Sequence, residues 1–269
     1  MLDYLANQAS GLIGLGAQPG PRLMAVISHG DEQAELPLLW QLCLALVNFG
    51  YTVTALDATS RETDSNPGLA QLLKDARWSG DEDRQPGTWT VLPAAEGIQS
   101  LHTASPFQPM HIQGQLGRLF SQGSIVILYC KAEWMIPLVG NCTMEPLLPI
   151  SSSRRSLMSG YMALKRMLIT GRLRPTIINM ILESESPPPS STPCVATSLG
   201  VCARRFLGHE TKVVSIVEQR SEVLPYGETQ RLALQLLENS LPLGGQAFPE
   251  SAGVSGPHLR PAHPLAGSH

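Results

Sequence analysis

The segment Ser28-His29-Gly30-Asp31-Glu32-Gln33-Ala34-Glu35-Leu36-Pro37 gathers one imidazole and several carboxylates into a single loop and the turn that follows it. A histidine close to a carboxylate is material for general acid–base chemistry. Cys130 ends the aliphatic run SIVILYC (124–130) and would add a nucleophile if the topology brought it to His29. Core packing is the simpler role for a cysteine in such a run. The loop contains no cation. The chain has four lysines, Lys74, Lys131, Lys165 and Lys212, so its first 73 residues contain none. Its seven aspartates end at Asp83. Chemistry that needs an early lysine or a late aspartate is excluded.

Other reactive patterns are missing from the sequence. There is no Gly-x-Ser-x-Gly elbow, no His-Glu-x-x-His and no Cys/His zinc spacing. The five cysteines, Cys43, Cys130, Cys142, Cys194 and Cys202, are odd in number and form no Cys-x-x-Cys. That pattern fits reduced thiols and a cytoplasmic protein. No basic leader is visible, and no apolar stretch reaches the ~18 residues of a membrane span. A net charge of −3 argues against association with nucleic acid through bulk charge. The basic residues Arg154, Arg155, Lys165 and Arg166 read as a solvated helix face.

These groups need a scaffold, and 269 residues at 43% hydrophobic content can build one. LMAVI (23–27) has strand character, and Leu39, Leu42, Cys43 and Leu46 recur at helical spacing behind Pro37 until Gly50 stops them. TVTAL (52–56) is a second strand, which completes a strand–helix–strand crossover. A polar loop over 58–88 contains one short helix near 69–76. Further strands are expected at 88–94, 124–130, 175–181 and 212–217. A weaker one lies at 144–150, where prolines argue against full pairing. Helices are expected at 153–168, 196–206 and 228–238. The alternation predicts an α/β, Rossmann-like fold: a mostly parallel sheet flanked by helices. The expected domain spans 21–240, after an arm at 1–20 and before a disordered Pro/Gly-rich tail at 241–269. The scattered His258, His263 and His269 of that tail offer no metal site.

In such a sheet, ligands sit beyond the carboxyl ends of the strands, which makes the loop at 28–37 the prime site. The segment MAVISHGDEQAELPLLWQ resembles the MinD/ParA family of deviant P-loop ATPases, especially its flagellar FlhG (FleN) branch, whose loop would read GKGGVGKT. On that register Gly30 stands at the signature lysine, Glu35 at the phosphate-gripping lysine, and Leu36 at the magnesium-binding Thr or Ser. A phosphate loop needs small residues and a lysine. Glu35 inverts that charge, and a unit pair at ~4 Å and an effective dielectric of ~20 is worth about 4 kcal/mol. Asp57 resembles the family's aspartate after the second strand, but Thr59 replaces the next acid. Tyr129 and Cys130 stand where a magnesium-linked aspartate would be, with Glu133 the nearest acid. Asn179 resembles an adenine-contacting Asn placed after a strand, and VLPAAEGI (91–98) resembles a family loop. Arg22 lies at the wrong end of the sheet to help.

The resemblance implies a MinD-like fold that has lost ATP hydrolysis and acts as a protein-binding regulator in flagellar assembly or polar placement. No cofactor is expected, with ATP and magnesium as the alternative for a switch whose loop is altered. A third possibility is a small-molecule enzyme built on His29 and Cys130. In the arm, Asn7-Gln8-Ala9-Ser10-Gly11-Leu12-Ile13 resembles the DQAxxLR motif that engages an FlhF-type signal-recognition GTPase. Gln8, Ala9 and Leu12 match it; the Asp and Arg do not. The implied partner is therefore a protein. Nucleic acid is not implied, and residues 241–269 hold no counterpart of the family's membrane-targeting helix.

Overall fold

The computed structural model describes residues 20–74, 88–105, 108–139, 142–182, 195–218 and 227–243. The chain runs β1 (Arg22–Ser28), α1 (Glu32–Asn48), β2 (Val53–Asp57), α2 (Leu69–Lys74), β3 (Trp89–Pro93), α3 (Ala95–Ala104), α4 (Pro109–Gly117), β4 (Ile125–Lys131), α5 (Ala132–Val139), β5 (Leu147–Ile150), α6 (Arg154–Arg166), β6 (Thr176–Ile181), α7 (Val195–Cys202), β7 (Val213–Val217), α8 (Glu228–Asn239) and β8 (Leu241–Pro242). Wider π-type turns, Met167–Gly171 and Ala203–Leu207, extend α6 and α7. The strands lie in the order β3-β2-β4-β1-β5-β6-β7, and β8 pairs with β1. Every pairing is parallel except that of β8.

Alternate residues of the central strands feed two cores. Leu23, Ala25 and Ile27 of β1 join Val126, Leu128 and Cys130 of β4 on one face. Met24 and Val26 join Ile125, Ile127 and Tyr129 on the other, under Leu38, Leu42 and Leu46 of α1 and Leu232 and Leu236 of α8. Helices cover both faces, which is why these strands read as unbroken aliphatic runs. Each fully buried Leu or Ile contributes roughly 1.5–3 kcal/mol.

Several expectations need correction. α1 begins at Glu32, so Pro37 lies inside it and gives up the bond to the Gln33 carbonyl. β5 is an interior strand, not a demoted one. A strand residue points its N–H and C=O to the same side, and the carbonyl of Pro149 accepts from His29 on the β1 side. There β1 meets β5 at a single position, Val26–Leu147, so the missing N–H of Pro149 falls where no ladder continues. α3, α4 and α5 were not expected, and α3 takes up the second half of the 91–98 segment. The described chain continues past 240: Leu241–Pro242 pairs with Arg22 and Leu23, and Leu243 N–H donates to Pro21 O. The rest of the expected tail, and the arm with Gln8, Ala9 and Leu12, lie outside the described residues.

Candidate functional site

The parallel register lines up the strand ends. Ser28 lies opposite Lys131, and Asp57 lies opposite both Tyr129 and Pro93. The loop after β1 opens at this carboxyl edge. Gly30 turns it with φ +89°, a region that glycine enters without the Cβ penalty.

The backbone N–H groups of His29 and Asp31 both donate to Glu35 Oε1, each at 2.8 Å. The Tyr129 hydroxyl donates to Glu35 Oε2. Glu35 is 0% exposed. A buried carboxylate is tolerated only when its oxygens find donors, and charged acceptors make such bonds stronger. The first turn of α1 adds its partial positive charge. The loop therefore turns its inward amides on the protein's own carboxylate. Burial first, and then the bond to Glu35, push the Tyr129 phenol far above its ordinary range, so it stays a donor.

The surrounding groups fasten this arrangement. Asp31 Oδ2 accepts from Ser151 N–H at 3.0 Å, just beyond β5. His29 Nε2 lies 2.7 Å from Pro149 O. A carbonyl only accepts, so Nε2 carries a proton. Nδ1 lies 2.8 Å from Ser159 Oγ of α6. α6 passes close over β5 at Gly160, where a Cβ would stand 2.3 Å from the tip of the Ile150 side chain. Both ring nitrogens of His29 are thus engaged, and its side chain is 3% exposed. Cys130 is fully buried, and burial pushes its thiol far up. A Cys130–His29 nucleophile pair is not formed here, because a thiol is reactive as an accessible thiolate.

The remaining expected residues separate. Leu36 is 50% exposed on α1, outside the cradle. Asp57 closes its own loop: Oδ1 accepts from Thr59 N–H at 2.9 Å and from Thr59 Oγ1 at 2.6 Å, and Oδ2 accepts from Ser60 Oγ at 2.6 Å. Asn179 sits within β6, not after it, and Nδ2 donates to Ser215 Oγ at 3.3 Å. Arg22 begins β1, at the opposite end of the sheet, as expected.

Two participants escaped sequence reasoning. Tyr129 was read only as a lost aspartate. Glu62 stood unnoticed in a polar stretch, yet it is buried and accepts from Ala70 N–H at 3.2 Å, Gly97 N–H at 2.8 Å and Glu96 N–H at 2.7 Å. It ties the starts of α2 and α3 together. No local spacing announces such a contact.

Around the plugged loop lies an open trough. One lobe of about 940 Å³ runs between α5 and α6, and an adjoining one of about 830 Å³ runs past α3. Ala58, Thr59, Lys131 and Trp134 line both. Among the described residues no group of three or more His, Cys, Asp or Glu could hold a metal, and no helix is long and apolar enough to cross a membrane.

No family model and no curated protein matches this chain by sequence. Solved structures do match its fold. An ATP complex of a McdA variant from Cyanothece superposes with a TM-score of 0.54 at 13% identity, covering 82% of this chain and 97% of that one. Cobyrinic acid a,c-diamide synthase from Mycobacterium smegmatis, with bound ADP and magnesium, gives 0.53 at 17% identity over 81% and 94%. The septum site-determining protein MinD from Pyrococcus horikoshii, complexed with Mg-ADP, gives 0.48 at 15% identity over 81% and 95%. The chain has the parallel, helix-flanked sheet of the MinD/ParA-type P-loop NTPases.

Proposed function

We propose that this chain is a MinD/ParA-fold pseudo-ATPase: a protein-binding scaffold whose phosphate cradle is permanently filled from within. The observation that supports this is Glu35. Its carboxylate takes the inward amides of the β1–α1 loop, and it stands at the position where the family's resemblance would put a phosphate-gripping lysine. An incoming triphosphate would have to displace a buried, triply bonded carboxylate and would then face Asp31 and Glu35 as like charges. McdA and the diamide synthase were solved with ATP and ADP; in this chain the β1–α1 loop carries its own anion. The flagellar assignment rests on the arm's resemblance, through Gln8, Ala9 and Leu12, to the element that engages an FlhF-type GTPase.

Calorimetry with ATP and magnesium tests the reading. No saturable heat is expected up to millimolar nucleotide, and micromolar binding would sink the proposal. For the partner, deleting residues 1–15 should abolish a pull-down of a flagellar signal-recognition-type GTPase. An undiminished pull-down removes the arm from the argument. The second reading is a nucleotide switch with altered contacts, and what favours it is Lys131, a cation in the cleft beside Gly30.

A further inference from the structure

The trough carries positive charge that the Glu35 plug does not use. Lys131, at the end of β4, and Lys165, on α6, line its larger lobe. They are two of the chain's four lysines, and neither has a carboxylate partner among the described residues. Arg166 lines the same lobe but is paired with Glu133 at 2.6 Å. The walls between these cations are apolar. Met162 and Ile169 are 64% and 59% exposed, and Trp134 forms part of both lobes. Met158, Met162, Lys165 and Ile169 recur along one stripe of α6 and its wide final turn, so the apolar wall and a cation share one face. Large apolar side chains exposed in a concave, cation-bearing wall mark a surface that something covers.

We propose that this trough binds an acidic peptide segment of a protein partner, with its carboxylates on Lys131 and Lys165 and its apolar side chains against Met162, Ile169 and Trp134; this rests on the scaffold reading above. Charge complementarity selects the acidic class, since the larger lobe's lining holds three cations against Glu133. The apolar wall selects a peptide over a simple anion, which would leave Met162 and Ile169 uncovered. Two adjoining lobes give length, as an extended segment requires. Polyphosphate is disfavoured because the loop amides of His29 and Asp31 are already taken by Glu35, which leaves the exposed Lys131 and Lys165 as the free donors, and these suit separate carboxylates.

The test uses the full-length protein and an array of synthetic peptides that alternate Glu or Asp with Leu or Phe, beside counterparts with Lys in place of each acid. Peptide anisotropy reports binding, and Trp134 fluorescence reports its place. Acidic members should bind and shift the Trp134 signal, and their affinity should fall about tenfold or more in a Lys131→Glu, Lys165→Glu double variant and at high salt. Both sites are exposed, so the variant should fold; its circular dichroism checks this. Trp134→Phe should abolish the fluorescence change and keep the anisotropy change. The proposal is overturned if no acidic peptide binds, if Lys-bearing counterparts bind as well, or if charge reversal changes nothing. It is also overturned if citrate, inorganic phosphate or anionic vesicles saturate the Trp134 signal more readily than any peptide. An Mg-ATP arm separates the two readings: nucleotide binding indifferent to Lys131 and Lys165 would overturn the pseudo-ATPase and leave the peptide result standing.

Discussion

Two loops at the carboxyl edge solve similar problems in opposite ways. In the β2–β3 connection, Glu62 reaches across to backbone N–H groups of α2 and α3, so its carboxylate joins two helices. At the β1–α1 loop, Glu35 of the first turn of α1 folds back onto amides four and six residues earlier and takes a phenol from β4. Glu62 is a staple between elements; Glu35 is a plug within one loop. A staple holds the fold together. A plug holds one local shape. Buried carboxylates are thus not one signal, and only their donors tell the two uses apart.

The largest effect should fall on the staple. Glu62→Ala leaves three N–H groups without their acceptor and should cost about 4 kcal/mol, read as a shifted urea midpoint at constant slope. A loss below about 1 kcal/mol would mean that water replaces the carboxylate there and would dissolve the distinction. On the plug, Glu35→Lys combined with Leu36→Thr installs the residue types a phosphate loop carries. It buries an ammonium against inward amides, so it should destabilise by about 3 kcal/mol and gain no ATP affinity. A stable double variant that binds Mg-ATP would show that the loop can hold a phosphate once the carboxylate is gone.

Glycines sharpen the contrast. A Cβ on Gly97 would stand 2.6 Å from Leu69 Cβ, so Gly97→Ala should cost about 2 kcal/mol by overpacking the staple. A Cβ on Gly30 meets nothing within 4 Å, and only its φ of +89° opposes it, so Gly30→Ala should cost about 1 kcal/mol. The reverse order would place the tighter constraint in the plug. Tyr129→Phe removes one of three donors to Glu35 and should cost about 1 kcal/mol in the same titration. The smallest effect is an absence of reaction. Burial pushes the Cys43 thiol up to about 12, so at pH 8 it is neutral, and it should react with a thiol reagent only as fast as the protein unfolds. Cys130, raised further by the same cause, should behave alike.

The sheet was readable because its central strands are buried on both faces, and runs such as LMAVI and SIVILYC carry that burial in their composition. β5 was underrated because proline usually disrupts a ladder, and only the position of His29 shows why Pro149 is harmless. α5 was missed because Pro137 lies inside it, and α4 because proline and glycine surround it. The absence of lysine from the loop was plain in the sequence. What its amides bond to was not. Glu35 was read as repulsion toward an absent phosphate, whereas its role is set by two amides behind it and by Tyr129, 94 residues away. The two loop carboxylates first considered together, Glu35 and Asp31, turn to different partners, and no spacing rule distinguishes them.

β8 sets the polarity of the whole molecule. Leu241–Pro242 runs beside the first residues of β1, and Leu243 bonds to Pro21, so the polypeptide enters and leaves the fold at neighbouring points on the amino edge of the sheet. The trough lies on the other edge. The β1–β8 seam is therefore a strand length from every residue that lines the trough. A substitution at Leu241 would loosen the start of β1 while leaving the trough's own lining unchanged, so the two ends of one strand can be perturbed separately.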